Sequence, residues 1–387
     1  MHLTVISHKV CWPDRESASG FATDGGFPFQ MRALAGAFDS TAICLPVKHA
    51  STASGGSRLE GKNLTILPLT PPAGKGIWRK LALPVWFLRN APTLITQMRR
   101  TDAIHAPIPG DIGTIGMLLA FSLRKPLFVR YCGNWAVERT PAERFWKWFL
   151  QRYAGTRNVV LATGGAAESP SATNPNIRWI FSSSLTQSEL DGCACVRDIR
   201  QNDQIRLIIS GRQERGKGTD LLIQTLPILQ RTFPNMSLEV VGDGAALPHF
   251  RSLAREMGVE DKVHFHGRVT HGQVIQLLRQ SDLFCFPTQS EGFPKAVLEA
   301  LACGLPVITT PVSVLPMLIG QGCGYLLDTP TPESLARTIG ECLSDPEGYQ
   351  RMSQKAMEVA RQFSLEKWRD TIADLLRNSW GQLAKES

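Results

Sequence analysis

The stretch "ISGRQERGKGTDLLI", residues 208–222, decides the reading of the fold. An apolar run ends at Gly211. Arg212 follows, then Lys217 with a glycine on each side, and a helical pattern begins near Thr219. A short apolar strand that passes through a glycine-rich loop into a helix is the repeating unit of a parallel α/β sheet. Cations at a strand's carboxyl end, beside a helix N-terminus, make a place for phosphate. A solvated basic loop is the plain alternative. The spacing is not that of a Walker A loop, whose lysine is followed by Ser or Thr.

Working outward, the second half alternates in the same way. Apolar runs "RLIIS", "LEVVG", "VHFHG", "DLFCFP" and "PVITT" are separated by amphipathic stretches at 219–231, 247–257, 271–280 and 294–303. This pattern predicts βα units and a parallel sheet. The first half repeats it with "LTVIS", "AICLPV", "LTILPL", "DAIHA", "PLFVRY", "NVVLAT" and "IRWIF". Residues 182–203 are polar and without period, which predicts a linker. The expected organisation is a domain over 1–185, a linker over 186–204, a second domain over 205–363, and a C-terminal helix over 364–387 packing back toward the first domain. The fold class is α/β, two doubly wound parallel sheets.

The chain of 387 residues is 43% hydrophobic and 20% charged, enough to bury two cores and unlike a disordered chain. Its nine cysteines are scattered, and only Cys193 and Cys195 are close. That pair lacks the partners of a zinc site, so no metal is expected. A reducing cytoplasm suits such cysteine use better than secretion, and "MHLTVISHKV" reads as a strand rather than a signal peptide. The longest uncharged run, 300–327, carries Pro306, Pro311 and Pro316, which argues against a membrane span.

Charge is uneven. Residues 1–182 hold 21 Lys and Arg against 10 Asp and Glu, whereas residues 183–387 hold 21 against 24. The densest basic part is "KGIWRKLALPVWFLRNAPTLITQMRR" (75–100), with Trp78 and Trp86; "RFWKWFLQRY" (144–153) repeats the mixture. Basic residues beside tryptophans suit an anionic membrane surface. The competing reading is a helix whose aromatics face the core. No recognition motif supports nucleic acid.

Three further strand ends carry candidate chemistry. "VVGDGAAL" (240–247) is a tight glycine turn. "FHGRVTHGQV" (265–274) places Arg268 and Val269 at the same sheet edge; His264 and His266 before them read as packing residues. "SEGFPKAVLEALACG" (290–304) puts Glu291 before a helix and Glu299 inside it. Pro294 suits the first helical position and Gly304 the C-terminal cap. The backbone of Phe293, Lys295 and Ala296 would offer amide donors at the helix start. Carboxylates accept pairs of hydroxyl donors, which sugars and ribose supply.

Taken in order, GR-x₄-KG, VGDG, HGRV and E-x₇-E followed by "ALACGLPVITT" resemble the donor domain of retaining GT-B glycosyltransferases, most of all glycosyltransferase family 4, over about residues 206–345. "DGGFPFQMRALAGAF" (24–38) is similar to that family's early Gly-Gly loop and helix. The resemblance implies two Rossmann-like domains facing a central cleft. It implies a nucleoside-diphosphate sugar as donor and a glycan or lipid-linked acceptor, with no cofactor or metal. It assigns the diphosphate to Arg212 and Lys217 at the Gly211 strand end, and the base to the backbone around Arg268 and Val269. The ribose falls to Glu299. The transferred sugar falls to Glu291 with the amides of Gly292, Phe293, Pro294's turn and Lys295. Gly25 and Gly26 are expected to close over the phosphates. The expected location is the cytoplasm, peripheral on the membrane's inner face.

One position departs from the pattern. Many family members carry His-Gly after the fifth strand of the first half; here "PLFVRYCGNW" has Cys132 before Gly133. Asp111, Arg130 and Asn134 are candidate substitutes for its positioning role. A non-catalytic nucleotide-sugar-binding protein and a GT-B sugar-nucleotide epimerase stay open as alternatives. A dinucleotide dehydrogenase is disfavoured, since no G-x-G-x-x-G follows the first strand.

Overall fold

The β-branched and aromatic runs of the first half pair into one sheet in the computed structural model. The structure describes all residues except 49–55, 134, 136, 137, 139, 156, 166, 167, 182, 200–203 and 385–387. The strand order is Ile177–Ile180, Asn158–Thr163, Leu127–Tyr131, Ala103–Ile108, His2–Ile6, Ser40–Pro46, Leu64–Leu69. Every neighbouring pair is parallel, and strands covered on both faces read as continuous apolar runs. One face packs on the helix Phe27–Ala35 and on the C-terminal helix Leu365–Trp380, through Met31, Leu34 and the fully buried Trp368. The other face packs on Gly76–Arg100, Asp111–Ser122 and Pro141–Tyr153. The first unit therefore comprises Met1–Ser184 together with the chain from Leu365 onward.

The basic helix Gly76–Arg100 has two apolar faces. Trp86, Asn90, Leu94 and Met98, spaced by four, face the core. Ile77, Trp78, Leu81, Val85 and Leu88 face out, and Trp78 is 72% exposed. The two readings of this segment therefore each hold for one tryptophan: Trp78 faces out and Trp86 faces the core. Trp86 is 4% exposed and its indole donates to the Thr70 carbonyl at 2.5 Å, as a buried N–H must. Arg79 is also withdrawn, since its Nε lies 2.7 Å from Asp111 Oδ2.

The second unit spans Leu185–Ser364. The stretch expected to be a structureless linker contains a helix, Gln187–Cys193. Thr186 and Glu189 form a reciprocal capping box at its start. The six-stranded sheet runs Val263–Gly267, Ser237–Val241, Arg206–Ser210, Leu283–Phe286, Val307–Thr309, Gly324–Leu326. All pairs are parallel. The chain winds outward from Arg206–Ser210 to one edge, then returns beside it with Leu283–Phe286 and winds to the other. In such sheets the crevice beyond the strand ends at this reversal is where ligands bind.

Candidate functional site

The reversal brings together two loops that lie far apart in sequence. The loop after Arg206–Ser210 carries Arg212 and Lys217; the loop after Leu283–Phe286 carries Glu291. Between them, the Gln289 amide donates to the Gly216 carbonyl at 2.8 Å. Lys217 donates to the Ser290 carbonyl at 2.8 Å and forms an ion pair with Glu291. Both side chains of that pair are largely buried, so the charges face each other with little intervening water.

Glycines permit the crowding. Gly218 begins the helix Thr219–Leu229 at φ +94, and a Cβ there would lie 2.5 Å from Pro287 Cγ. A Cβ on Gly242 would lie 1.9 Å from the Gly211 carbonyl oxygen, and one on Gly244 2.2 Å from that of Gln213. Glycines in VGDG thus do more than turn the chain: they let the second loop seat against the first.

Gln213, 1% exposed, organises this layer. Its amide nitrogen donates to the carbonyls of Gly211 and Val241, both at 3.1 Å, and its amide oxygen accepts from Thr219 Oγ1 at 2.8 Å. Arg212 next to it turns outward, 80% exposed, with Glu214 at 3.3 Å. Gln213 was missed from sequence, where a lone glutamine in a polar loop gives no signal.

Glu291 and Glu299 have different partners, as their places in the chain require. Glu299, on the helix Lys295–Ala302, lies 3.7 Å from Nδ1 of His271, the first residue of the helix His271–Gln280. Pro294 is the N-cap of the glutamate helix rather than its first residue, and the helix start has no side-chain cap. Ser313 Oγ donates to the Gly292 carbonyl at 2.7 Å, fixing the turn between the two glutamates. Phe293 is buried beside Phe363. Arg268 is exposed and Val269 half-buried after a Gly267 at φ +64. His266 bonds the buried Glu239 at 2.5 Å, a packing role. Among the described residues no group of three or more His, Cys, Asp or Glu is placed to hold a metal.

In the first unit, Gly25 has φ +70 and Gly26 precedes the helix Phe27–Ala35, whose start has no side-chain cap. Lys9 and Asp24 form an ion pair beside them. The candidate substitutes for the absent histidine divide. Asp111 is paired with Arg79. Arg130 is buried: it donates to Gln30 Oε1 at 2.8 Å and lies 5.3 Å over the Trp368 ring. Cys132 is exposed. Asn134 falls outside the described residues.

Residues 197–359 match the family model described as glycosyl transferases group 1. Over 172 residues, 43% of the chain, it is 32% identical to a D-inositol 3-phosphate glycosyltransferase of Corynebacterium glutamicum, of which that stretch covers 40%. The matches span about two-fifths of such curated relatives. WaaG, a glycosyltransferase involved in lipopolysaccharide biosynthesis, superimposes with a TM-score of 0.66 at 16% identity, covering 97% of this chain and 99% of WaaG. Anabaena HepE, solved with UDP and glucose, gives 0.69 at 18% identity, covering 96% and 99%. The family match thus lies within the second unit, and the fold over the whole length is the GT-B fold of these glycosyltransferase structures.

Proposed function

We propose that the protein is a retaining glycosyltransferase that moves a sugar from a nucleoside-diphosphate sugar to a glycan or lipid-linked acceptor at an anionic membrane surface. The observation that carries this reading is the Lys217–Glu291 pair at the reversal of the second sheet, beside the exposed Arg212. HepE, of the same fold, was solved with UDP and glucose.

Breaking a sugar–phosphate bond builds negative charge on the diphosphate and positive charge on the sugar ring. Lys217 and Arg212 are assigned the first and Glu291 the second. A lysine already held by two oxygens is oriented before the donor arrives, so little reorganisation is needed at the moment of reaction. Glu299 is assigned the ribose hydroxyls. Two cations at one strand end supply charge compensation without a metal ion. The departing phosphate oxygen takes the acceptor's proton, so an enzymic base is not required, and Cys132 is compatible with turnover.

The membrane part of the proposal rests on the helix Gly76–Arg100. Its outward apolar stripe is flanked by the exposed Lys75, Lys80 and Arg89. The helices Asp111–Ser122 and Pro141–Tyr153 of the same layer add exposed Leu118, Phe145 and Trp148. No helix among the described residues is long and apolar enough to cross a membrane.

The test is a thermal-shift panel of UDP-, GDP- and ADP-sugars. The donor that raises Tm most is then assayed for transfer to lipid-linked acceptors with a chelator present. Anomer-retaining, chelator-resistant transfer supports the reading. Donor binding without transfer or hydrolysis would favour a non-catalytic binder.

A further inference from the structure

The segment that enters the second unit is pinned against the far ends of two helices that begin at the candidate site. Arg197 donates from Nη1 to the Arg279 carbonyl at 2.6 Å and from Nη2 to the Leu278 carbonyl at 3.1 Å, both in the last turn of His271–Gln280. Its Nε donates to the Cys303 carbonyl at 3.2 Å, at the end of Lys295–Ala302. Three carbonyls from two helix C-termini thus meet one planar cation. Carbonyls there lack intrahelical partners and carry the negative end of the helix dipole. Only the rigid fork of a guanidinium reaches acceptors on both helices at once; a lysine is a single point charge.

The segment around Arg197 is itself fixed. The Arg197 amide donates to Ser353 Oγ at 3.0 Å. Gly304, at φ +70, ends the glutamate helix so close to the segment that a Cβ would lie 2.2 Å from the Cys195 carbonyl oxygen.

His271, the first residue of its helix, lies 3.7 Å from Glu299, which stands midway along Lys295–Ala302 and one turn before the clamped Cys303. Helices of ten and eight residues are rods about 15 and 12 Å long. Clamping their C-terminal ends together fixes how the two rods lie against each other, and so the place of Glu299 beside His271.

We propose that Arg197 is a positioning residue for the donor site. It holds the helices His271–Gln280 and Lys295–Ala302 in the register that aims Glu299 at the nucleotide, without touching the nucleotide itself. This rests on the donor-site reading given above.

The experiment titrates UDP, GDP or ADP, whichever binds the wild type tightest, into Arg197→Met and Arg197→Lys well below their melting temperatures. Both variants are also made in a Glu299→Gln background. Positioning predicts that Arg197→Met weakens nucleotide binding about tenfold, that Arg197→Lys restores part of it, and that the loss shrinks to under about twofold when Glu299 is already replaced. Should Arg197→Met not fold, Arg197→Lys alone carries the comparison, with a smaller loss that also vanishes without Glu299. A lowered Tm with unchanged affinity, or an equal loss in both backgrounds, overturns the proposal and leaves the donor-site reading standing. No nucleotide binding by the wild type removes that reading and this proposal together.

Discussion

The two units are built alike and finished differently. Each is a parallel sheet between layers of helices, and each begins a helix at a glycine-rich strand end. In the second unit, glycines let neighbouring loops crowd together, and charged side chains from separate strands are paired at the reversal of the sheet. In the first, the nearest comparable loop is Gly25–Gly26, while the distinctive chemistry lies on an outer helical layer. Of twelve exposed large hydrophobic residues among those described, nine belong to the first unit. The positive balance lies there as well. One fold pattern thus carries two finishes: paired charges at a strand edge in the second unit, and an outer helical layer with exposed apolar and basic residues in the first.

If the second unit holds the chemistry, damage there should stop transfer and leave membrane binding intact. Lys217→Ala is expected to lower transfer by about 10²–10³-fold, the cost of losing one preorganised charge. Arg212→Ala is expected to lose at least about tenfold within the same mechanism, with circular dichroism unchanged because its side chain is exposed. Near wild-type turnover in both would remove the phosphate assignment.

The opposite half of the comparison is tested by co-sedimentation. Replacing Lys75, Lys80 and Arg89 together should weaken binding to anionic vesicles by about 3 kcal/mol at low salt, at about 1 kcal/mol each, while transfer to a water-soluble acceptor persists. Indifference to vesicle charge would return these residues to ordinary solvated roles.

The units should also differ in acid. Burial in the first unit, with the nearby Arg130, holds the His105 imidazole down to about 3. It therefore stays neutral when folded at pH values where the unfolded chain, near 6.5, takes up a proton. The unfolded state binds more protons in that window, so stability falls as pH drops from about 6.5 toward 3, by about 1.4 kcal/mol per unit. By pH 5 the loss is about 2 kcal/mol. His105→Gln should flatten this slope in denaturant titrations, and an unchanged slope would show that the imidazole is not what resists acid.

Much of the second unit was legible because its signals are local. A strand, a glycine, a cation and a helical period fit within fifteen residues, and each motif fell at the strand end where the structure has it. The ion pair of Lys217 with Glu291 was not legible, since 74 positions separate the partners and only the sheet order joins them. Trp86 and Trp78 were not told apart, since the helix is apolar on opposite faces, which composition cannot divide. The helix Gln187–Cys193 was missed although its Thr186-x-x-Glu189 box was present; its brevity left no period. Strands of two or three residues, Trp12–Pro13, Phe21–Thr23 and Ser57–Arg58, form a small antiparallel sheet that no pattern announced.

The division of labour between the two glutamates is tested most directly by calorimetric titration of free nucleoside diphosphate into Glu299→Gln and Glu291→Gln. Glu299→Gln should lose about 1.5–3 kcal/mol of binding, the worth of charge-assisted hydrogen bonds to ribose. Glu291→Gln should bind free nucleotide at least as well as the wild type, because Lys217 is released to the phosphates, while failing in transfer. Equal losses in the two variants, or undiminished nucleotide binding by Glu299→Gln, would contradict the account.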